Sequence, residues 1–506
     1  MGRTANARRN VITGLLNKLL MMLLAFASRT IFIRLLGAEY TGVSSLYTNI
    51  LSVLSLAELG LGNVLMFYLY SALSDNDETK INQLVFEFKK IYTIIIIAVL
   101  SIGVGLVPLL KYIVHSDLDR NELVVYYLLY LLNSVASYAV VYRTTVLSAD
   151  QKNYINNIVS TIMFVVMYIA QIVYLLLFKR FLGYLCIQVL CTILTNIILN
   201  RITIIKYPYL KKPIHGDKHI IDSRHLLGNI KATFLYKTAE TLLDQTDSVL
   251  ISMLMGTVYV GYYTNYYMLV TYLVSTAGIL ASGVVASFGN LVAEGNQEKS
   301  YGMFKVSSLM FSIIGTVFVC CYCSIVQDFI PLWIGSQYVM SYDLVISIML
   351  VFYLRMSMNT LWIYRSAMGL FKEVQYANIF AALINIVLSI VLGRIIGLSG
   401  IIIATAISRL LTSFWYEGKV VFNKFNRSVK EYYLQQLKDF LICVLSLILT
   451  LIACKYVRMA GPIAIVCKLL VALSISISIE WLIYYRTKEF KKLVDSIFIN
   501  RLNDDK

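Results

Sequence analysis

Charged side chains at helical spacing interrupt an apolar stretch in the middle of the chain. They are separated by three, four and three positions and comprise Lys237, Glu240, Asp244 and Asp247. This spacing puts them on one face of a helix. A charge at the centre of a bilayer costs about 2.5–3.5 kcal/mol on insertion scales. We therefore expect the face to point towards protein or a water-filled space rather than towards lipid.

These side chains offer ion binding and anion recognition rather than covalent chemistry. Carboxylates such as Asp244 and Asp247 suit a coupling H+ or Na+, because two like charges close together favour binding of a cation by one of them. An arginine such as Arg29 suits a phosphate group, since its guanidinium donates a planar fork of hydrogen bonds and stays charged. We expect no bound cofactor and no metal beyond such a coupling ion.

These four charged residues, Lys237, Glu240, Asp244 and Asp247, form a charged stripe. The stripe belongs to a helical hairpin that occurs twice in the chain, with the same number of residues between each pair of matching positions. The matching positions are Lys18 with Lys237, Gly37 with Gly256, Tyr40 with Tyr259, Gly42 with Gly261, Tyr47 with Tyr266 and Lys80 with Lys299. Farther on, Tyr142-Arg143 and Asn156 recur as Tyr364-Arg365 and Asn378, with the offset only slightly larger. A nearly constant offset predicts two homologous halves, a construction common in transporters with a site near the bilayer midplane.

The composition is that of an integral membrane protein. The chain has 506 residues, of which 59% are hydrophobic and 14% charged, with only five prolines. A net charge of +16 would suggest nucleic-acid binding in a water-soluble chain. Here we expect no nucleic-acid partner, because the lysines and arginines concentrate in the loops on one side of the membrane.

Fourteen apolar runs predict about fourteen transmembrane helices. They lie near 11–36, 43–70, 91–113, 123–147, 156–178, 181–205, 232–255, 262–293, 304–330, 343–366, 376–396, 399–422, 439–457 and 462–485. With a cytoplasmic N-terminus, the inner segments hold 27 lysines and arginines and the outer segments seven. The positive-inside rule then predicts that both termini are cytoplasmic.

Other chemistries find little support in the sequence. The eight cysteines lie in or beside apolar runs, and the C-x2-C spacing of Cys320 and Cys323 has no histidine near it. No predicted loop is long enough to hold an enzyme domain. We therefore expect a protein that is not an enzyme.

The charges predicted to lie within helices have two interpretations. Glu58, Arg29, Arg355 and Arg409 lie deep in their runs, and they can serve function or pair structurally with neighbouring helices. We take Glu58, Arg355 and Arg409 as candidates for structural ion pairs. Arg34, Arg143, Arg201, Arg365, Glu417, Lys468 and Glu480 lie near predicted helix ends, where extension of the side chain to the interface is the expected explanation.

Three motifs resemble those of polysaccharide (O-antigen) flippases, which belong to the multidrug/oligosaccharidyl-lipid/polysaccharide exporter superfamily. They are Thr30-x3-Arg34-Leu-Leu-Gly37-x-Glu39-x2-Gly42, Tyr142-Arg-x4-Ser148-Ala-x-Gln151-Lys-x-Tyr154, and Asp247-x3-Ile251-Ser252-x3-Gly256-x3-Val260-Gly261-x-Tyr263-x-Asn265-Tyr266. The resemblance covers essentially the whole chain. It implies an all-α membrane protein with two pseudo-symmetric six-helix bundles and two peripheral C-terminal helices.

The same resemblance implies a function. An undecaprenyl-pyrophosphate-linked oligosaccharide would move from the inner to the outer leaflet of a bacterial plasma membrane by alternating access. Cationic residues would receive the pyrophosphate and sugar, here Arg29, Arg34, Lys237, Arg143 and Arg365. Ion coupling would rest on Asp244, Asp247 and Glu240. The implied partners are the lipid-linked oligosaccharide, membrane lipids, and the polysaccharide polymerase with its chain-length machinery.

The corresponding domain division has four parts. Residues 1–210 form the first bundle, 211–231 a basic cytoplasmic linker, 232–425 the second bundle, and 426–506 the last two helices with interfacial segments and a cytoplasmic tail. Two alternatives stay open: a multidrug or lipid II exporter of the same fold, and a membrane-embedded polysaccharide polymerase or glycosyltransferase.

Overall fold

The computed structural model describes residues 3–55, 61–214, 223–293 and 296–503. Every regular element in these ranges is a helix. The chain forms two compact units, Met1–Gly261 and Tyr262–Lys506. The prediction of an all-helical protein is confirmed for the described residues.

In its described residues, the first unit contains nine α-helices and the beginning of a tenth. They are α1 (Arg3–Leu54), α2 (Leu61–Ser74), α3 (Glu78–Gly105), α4 (Leu110–Ile113), α5 (Arg120–Tyr138), α6 (Val141–Ala149), α7 (Asn153–Phe178), α8 (Phe181–Lys206), α9 (Ser223–Met255) and α10 (Thr257–Ala293). Within this unit α1 packs against α5, α7 and α9, and α8 packs against α5 and α7.

The second unit contains the rest of α10 and, over the part that is described, eight further α-helices. They are α11 (Gln297–Trp333), α12 (Tyr342–Ala367), α13 (Phe371–Ile396), α14 (Leu398–Leu411), α15 (Ser413–Lys424), α16 (Lys430–Lys455), α17 (Gly461–Tyr484) and α18 (Lys488–Asn503). The helix α11 is central, because it packs against α12, α16, α17 and α18. An aromatic core that includes Phe304, Tyr364 and Phe422 joins α11, α12 and α15.

The helices identify a multi-pass membrane protein. Among the described residues, ten helical segments are long and apolar enough to cross a membrane. The helices α5 and α6 would add an eleventh span if they form one broken helix, since they bend by 44° against each other. Within the described ranges, each predicted apolar run lies largely on helical residues. The total of fourteen spans and the cytoplasmic placement of both termini stay predictions.

The recurring hairpin has a matching backbone conformation in both copies. Gly37 interrupts α1 with a φ of 89°, and Gly256 separates α9 from α10 with a φ of 107°. Glycine adopts this region without the steric penalty that a Cβ atom brings. The first predicted run and the first part of the second therefore lie on one kinked helix, α1, and the last part of the second run lies on α2. The corresponding break lies at the equivalent glycine of the second copy.

Two further matched glycines form a close helix crossing. A Cβ atom on Gly42 would lie 2.0 Å from the carbonyl oxygen of Thr257, and one on Gly261 would lie 2.1 Å from that of Ala38. The repeat that matches Gly42 with Gly261 also matches Ala38 with Thr257. The two contacts are therefore equivalent under the repeat, and both require the absence of a side chain.

We expect Gly42→Ala to lower the stability of the folded protein. The added methyl group would overlap the backbone of α10, and overpacking of this kind costs about 1–3 kcal/mol. The measurement is thermal unfolding of the purified protein in detergent. Gly105→Ala is the matched control, because its Cβ atom would meet nothing within 4 Å. Equal unfolding temperatures for the two variants would contradict a tight crossing.

Candidate functional site

The charged stripe lies on α9, and its side chains become less exposed to solvent from Lys237 towards Asp247. The Lys237 ammonium forms an ion pair with the Glu240 carboxylate at 2.9 Å, and both side chains are partly exposed. Asp244 is half-buried and Asp247 is buried. The predicted face therefore contains one local ion pair and two carboxylates at greater depth in the unit.

Polar contacts hold α9 against α1 and α4 near Asp247. The Asn49 amide donates to the Ser248 hydroxyl at 2.6 Å. One turn later, the Ser252 hydroxyl donates to the carbonyl of Ile113 at 2.7 Å and contacts the Thr257 hydroxyl at 2.8 Å. Because these bonds fix the rotation of α9, the position of the Asp247 side chain is determined by packing in the first unit.

Arg29 lies on α1 within a group of tyrosines. Its side chain is half-buried and lies within electrostatic range of the hydroxyl groups of Tyr130 on α5 and Tyr184 on α8. The Tyr130 hydroxyl also contacts the Ser44 hydroxyl at 2.5 Å. Arg34 is exposed and lies farther along α1. Arg29 is therefore the interior one of these two cations.

The tyrosines of this region are of two kinds: some hydroxyl groups bond to backbone carbonyls, and one contacts a side-chain hydroxyl. Tyr47 donates to the carbonyl of Leu123 at 3.0 Å, and Tyr127 donates to that of Gly103 at 3.0 Å. These two hydroxyls are used in helix packing. Tyr130 differs, because its partner is the hydroxyl group of a side chain, which can rotate to donate or accept and so can accommodate a ligand.

Arg143 lies on α6, and the next residue, Thr144, lines a cavity. Its guanidinium donates to the Asn200 amide oxygen at 2.7 Å and lies over the rings of Phe86 and Tyr142. The adjacent cavity has a volume of about 360 Å³. Its polar lining consists of hydroxyl and amide groups, from Asn133, Ser137, Thr144, Ser160, Gln188, Thr192, Thr195 and Asn196. Uncharged donors and acceptors of this kind suit the hydroxyl groups of a sugar.

Arg365 is buried in an ion pair of the second unit. Its side chain is 3% exposed and donates to the fully buried Glu417 carboxylate at 2.8 Å. The Asn378 amide donates to the other carboxylate oxygen at 2.9 Å. The expectation that Arg365 and Glu417 extend to the membrane interface is therefore wrong. The aromatic core with Tyr364 and Phe422 lies on the same two helices, α12 and α15.

The repeat matched only the arginine of this pair. Arg143 and Arg365 are matched positions, and each contacts a partner farther along the chain. Asn200 follows Arg143 by 57 residues, and Glu417 follows Arg365 by 52 residues. Asn200 and Glu417 are not matched positions, because the offset of the two arginines would match Asn200 with Phe422. The sequence comparison matched the arginines but missed Glu417, because a partner on a distant helix shares no local pattern with them.

The remaining candidates lie in the second unit or outside the described ranges. Arg409 is buried, lies over the Trp362 ring at 5.4 Å, and is within electrostatic range of Glu417. Arg355 is half-buried on α12. Glu58 lies outside the described residues. Among those that the structure describes, no group of three or more histidine, cysteine, aspartate or glutamate side chains could hold a metal ion.

Comparison with known proteins identifies the fold. A family model described as "Polysaccharide biosynthesis protein" matches residues 7–286. The structure is similar to that of the lipid II flippase MurJ in an inward closed conformation, with a TM-score of 0.68 and 14% identity over 94% of this chain and 99% of that one.

A second similar structure is the inward-facing form of a multidrug resistance MATE family transporter of the MOP superfamily. Its TM-score is 0.56, with 14% identity over 81% of this chain and 96% of that one. No curated protein sequence gives a significant match. The similarity to the two transporters is one of fold.

Proposed function

Because the chain belongs to the polysaccharide biosynthesis protein family, we propose that it is a flippase for lipid-linked oligosaccharides. It moves undecaprenyl-pyrophosphate-linked repeat units from the inner to the outer leaflet of a bacterial plasma membrane. It does so by alternating access of two six-helix bundles and performs no covalent chemistry. The similarity of its fold to a lipid II flippase supports a substrate of this class.

The observation that carries the proposal is the interior position of Arg29. A half-buried guanidinium beside the Tyr130 and Tyr184 hydroxyls combines a permanent positive charge with neutral hydrogen-bonding groups. A pyrophosphate joined to a sugar needs this combination, because its phosphates are anionic and its sugar ring is neutral and rich in hydroxyl groups. A lipophilic cation, the typical multidrug substrate, would be repelled by Arg29.

We assign different roles to the other cations. Arg34 and Lys237 are exposed or half-exposed and attract the anionic headgroup before it reaches Arg29. Arg143 precedes Thr144, which lines the 360 Å³ cavity, and part of the oligosaccharide binds to the hydroxyl and amide groups of that cavity. Arg365 supports the fold through Glu417 rather than contacting substrate, because its charge is already compensated in a buried pair.

The carboxylates of α9 couple transport to H+ or Na+. Asp247 is the central residue, Asp244 assists it, and Glu240 is engaged by Lys237. We expect Asp247→Asn to insert and fold normally but to remove the acceleration of transport by an ion gradient, since an amide of the same shape cannot exchange the charge. The measurement is flipping in vesicles with and without a pH or sodium gradient.

Asp75→Asn serves as the control for Asp247→Asn. Asp75 lies in the exposed turn between α2 and α3, so its substitution should leave the gradient response unchanged. A full gradient response in Asp247→Asn would contradict coupling through this residue.

The proposed function is tested by deleting the protein and locating the lipid-linked repeat unit. Accumulation of complete units on the inner leaflet supports a flippase. Failure to synthesise or polymerise the units, with normal translocation, would identify a membrane enzyme instead. Accumulation of lipid II, or sensitivity to lipophilic cations with normal polysaccharide, would identify one of the two other exporters.

A further inference from the structure

A second group of buried acids lies in the second unit, apart from the stripe on α9. The helices α16 and α17 both pack against α11, and polar side chains line the seam between them. On α16 they are Gln436, Asp439, Ser446 and Thr450, which recur at helical spacing. Facing them are Ser312 and Thr316 of α11 and Glu480 of α17.

The expectation that Glu480 extends to the membrane interface is wrong, because it is 2% exposed.

Each of the two acids has one oxygen without a well-formed hydrogen bond among the described residues. Asp439 is 1% exposed, and its Oδ1 accepts hydrogen bonds from the Tyr484 hydroxyl and, at 2.6 Å, from the Gln435 amide. Its Oδ2 lacks such a partner, and so does Oε2 of Glu480. Within the described part of the chain, no lysine or arginine forms an ion pair with either carboxyl group.

Hydroxyl groups without well-formed hydrogen bonds lie in the same seam. Thr316 and Ser446 are both fully buried, and neither hydroxyl oxygen has a partner in hydrogen-bonding geometry within the described ranges. Thr316 faces the Glu480 carboxyl group and the Cys443 thiol. Polar groups of this kind are rarely left without partners in a folded interior. These hydroxyl groups lie in the seam that holds the two acids, and that of Thr316, beside Glu480, can accept a hydrogen bond from a protonated carboxyl group.

Other titratable groups face the pair from every neighbouring helix. Lys438 acts on both acids electrostatically, but its ammonium lies over the Tyr484 ring at 4.8 Å. The remaining ones near the acids are Cys320 of α11, Tyr353 of α12, and Tyr432 and Cys443 of α16. All of these are neutral in their ordinary state near neutral pH. Lys438 is therefore the cation that moderates the negative charge of the pair.

A cavity connects the seam to the end of the unit where α11 and α16 begin. It has a volume of about 250 Å³, and its lining includes Lys305, Glu431, Gln435 and Tyr484. Lys305 and Glu431 form an ion pair at 2.5 Å, and the Glu431 side chain is 64% exposed. Gln435 and Tyr484 are the two residues that donate to Asp439. One layer of side chains thus separates Asp439 from the cavity.

We propose that Asp439 and Glu480 form a proton-binding pair that is loaded from this cavity. A proton enters past Tyr484 and Gln435, binds Asp439, and reaches Glu480 through the region of Thr316. An ionised carboxyl group that is buried and forms no ion pair is strongly disfavoured. A bound proton removes this penalty and lets the carboxyl group donate to a neighbouring hydroxyl oxygen. H+ is favoured over Na+ because Oδ1 of Asp439 already accepts two hydrogen bonds.

This inference does not depend on the proposed function, since it concerns acids other than Asp244 and Asp247 and is tested without substrate. The test is an infrared pH titration of the purified full-length protein in lipid bilayers. The neutral carboxyl group has a C=O band that shifts in D2O. We expect this band to decrease as the pH rises, and Asp439→Asn and Glu480→Gln each to lose one of the two contributions. Glu298→Gln is the control, because this α11 residue is 77% exposed.

Three results would overturn the proposal. The first is a wild-type band that does not change over the pH range in which the protein stays folded. The second is a titrating band of the same size in both variants as in the wild type. The third is a response to Na+ at constant pH that is lost in Asp439→Asn and Glu480→Gln, which would identify a sodium site at this pair. If either variant fails to fold, the wild-type titration and the Glu480→Asp variant still decide the question.

Discussion

Arg29→Ala is expected to reduce the flipping of lipid-linked oligosaccharide by about 10- to 100-fold, with normal insertion into the membrane. A hydrogen bond to a charged group contributes about 1.5–3 kcal/mol, and alanine removes the only kind of side chain that offers both the charge and the planar fork of donors. The measurement is the rate at which a fluorescent lipid-linked oligosaccharide becomes accessible on the far side of vesicles that contain the purified protein.

Two further variants make this result interpretable. Arg29→Lys keeps the charge but loses the fork, and we expect it to retain an intermediate rate. Arg201→Ala removes an exposed cation of α8 and should leave the rate unchanged. If Arg29→Ala flips substrate at the wild-type rate, Arg29 is a structural residue that supports the packing of the helices around it.

Glu417→Gln is expected to destabilise the second unit by about 3–5 kcal/mol. Removing one partner of a buried ion pair leaves an uncompensated charge in the interior, here on Arg365, with Arg409 also nearby. The measurement is the unfolding free energy, or the loss of folded protein on heating in detergent. Insertion of the helices should be normal, because a neutral side chain enters the membrane more readily than a charged one.

The double variant Arg365→Met/Glu417→Met separates pairing from packing. Replacing both charges by apolar side chains of similar volume should recover a large part of the lost stability. Glu298→Gln breaks the exposed pair with Arg427 and should cost about 1 kcal/mol or less. A Glu417→Gln variant as stable as Glu298→Gln would show that Arg365 does not need its partner, and would return it to the candidates for substrate binding.

The amino-acid sequence alone predicted the membrane helices and their order. The length of each apolar run is a local property, and the bilayer requires a certain length wherever the run lies in the chain. The repeat was also visible in the sequence, because its glycines are required by the structure. Gly37 and Gly256 have a positive φ that favours glycine, and Gly42 and Gly261 lie too close to a neighbouring backbone to carry a side chain. The resemblance to polysaccharide flippases followed from two motifs that contain these glycines and a third between Tyr142 and Tyr154.

The tertiary structure alone decided what the deep charges do. The position of a residue in an apolar run indicates its depth in the membrane but not what its side chain points towards. The sequence therefore predicts Arg365, Glu417 and Glu480 at the interface, although the structure buries them. Their surroundings come from helices far away in the sequence, such as α15 for Arg365 and α11 for Glu480. The energy of a charge in a membrane depends on its neighbours rather than on its own helix, and the neighbours are known only when the helices are packed together.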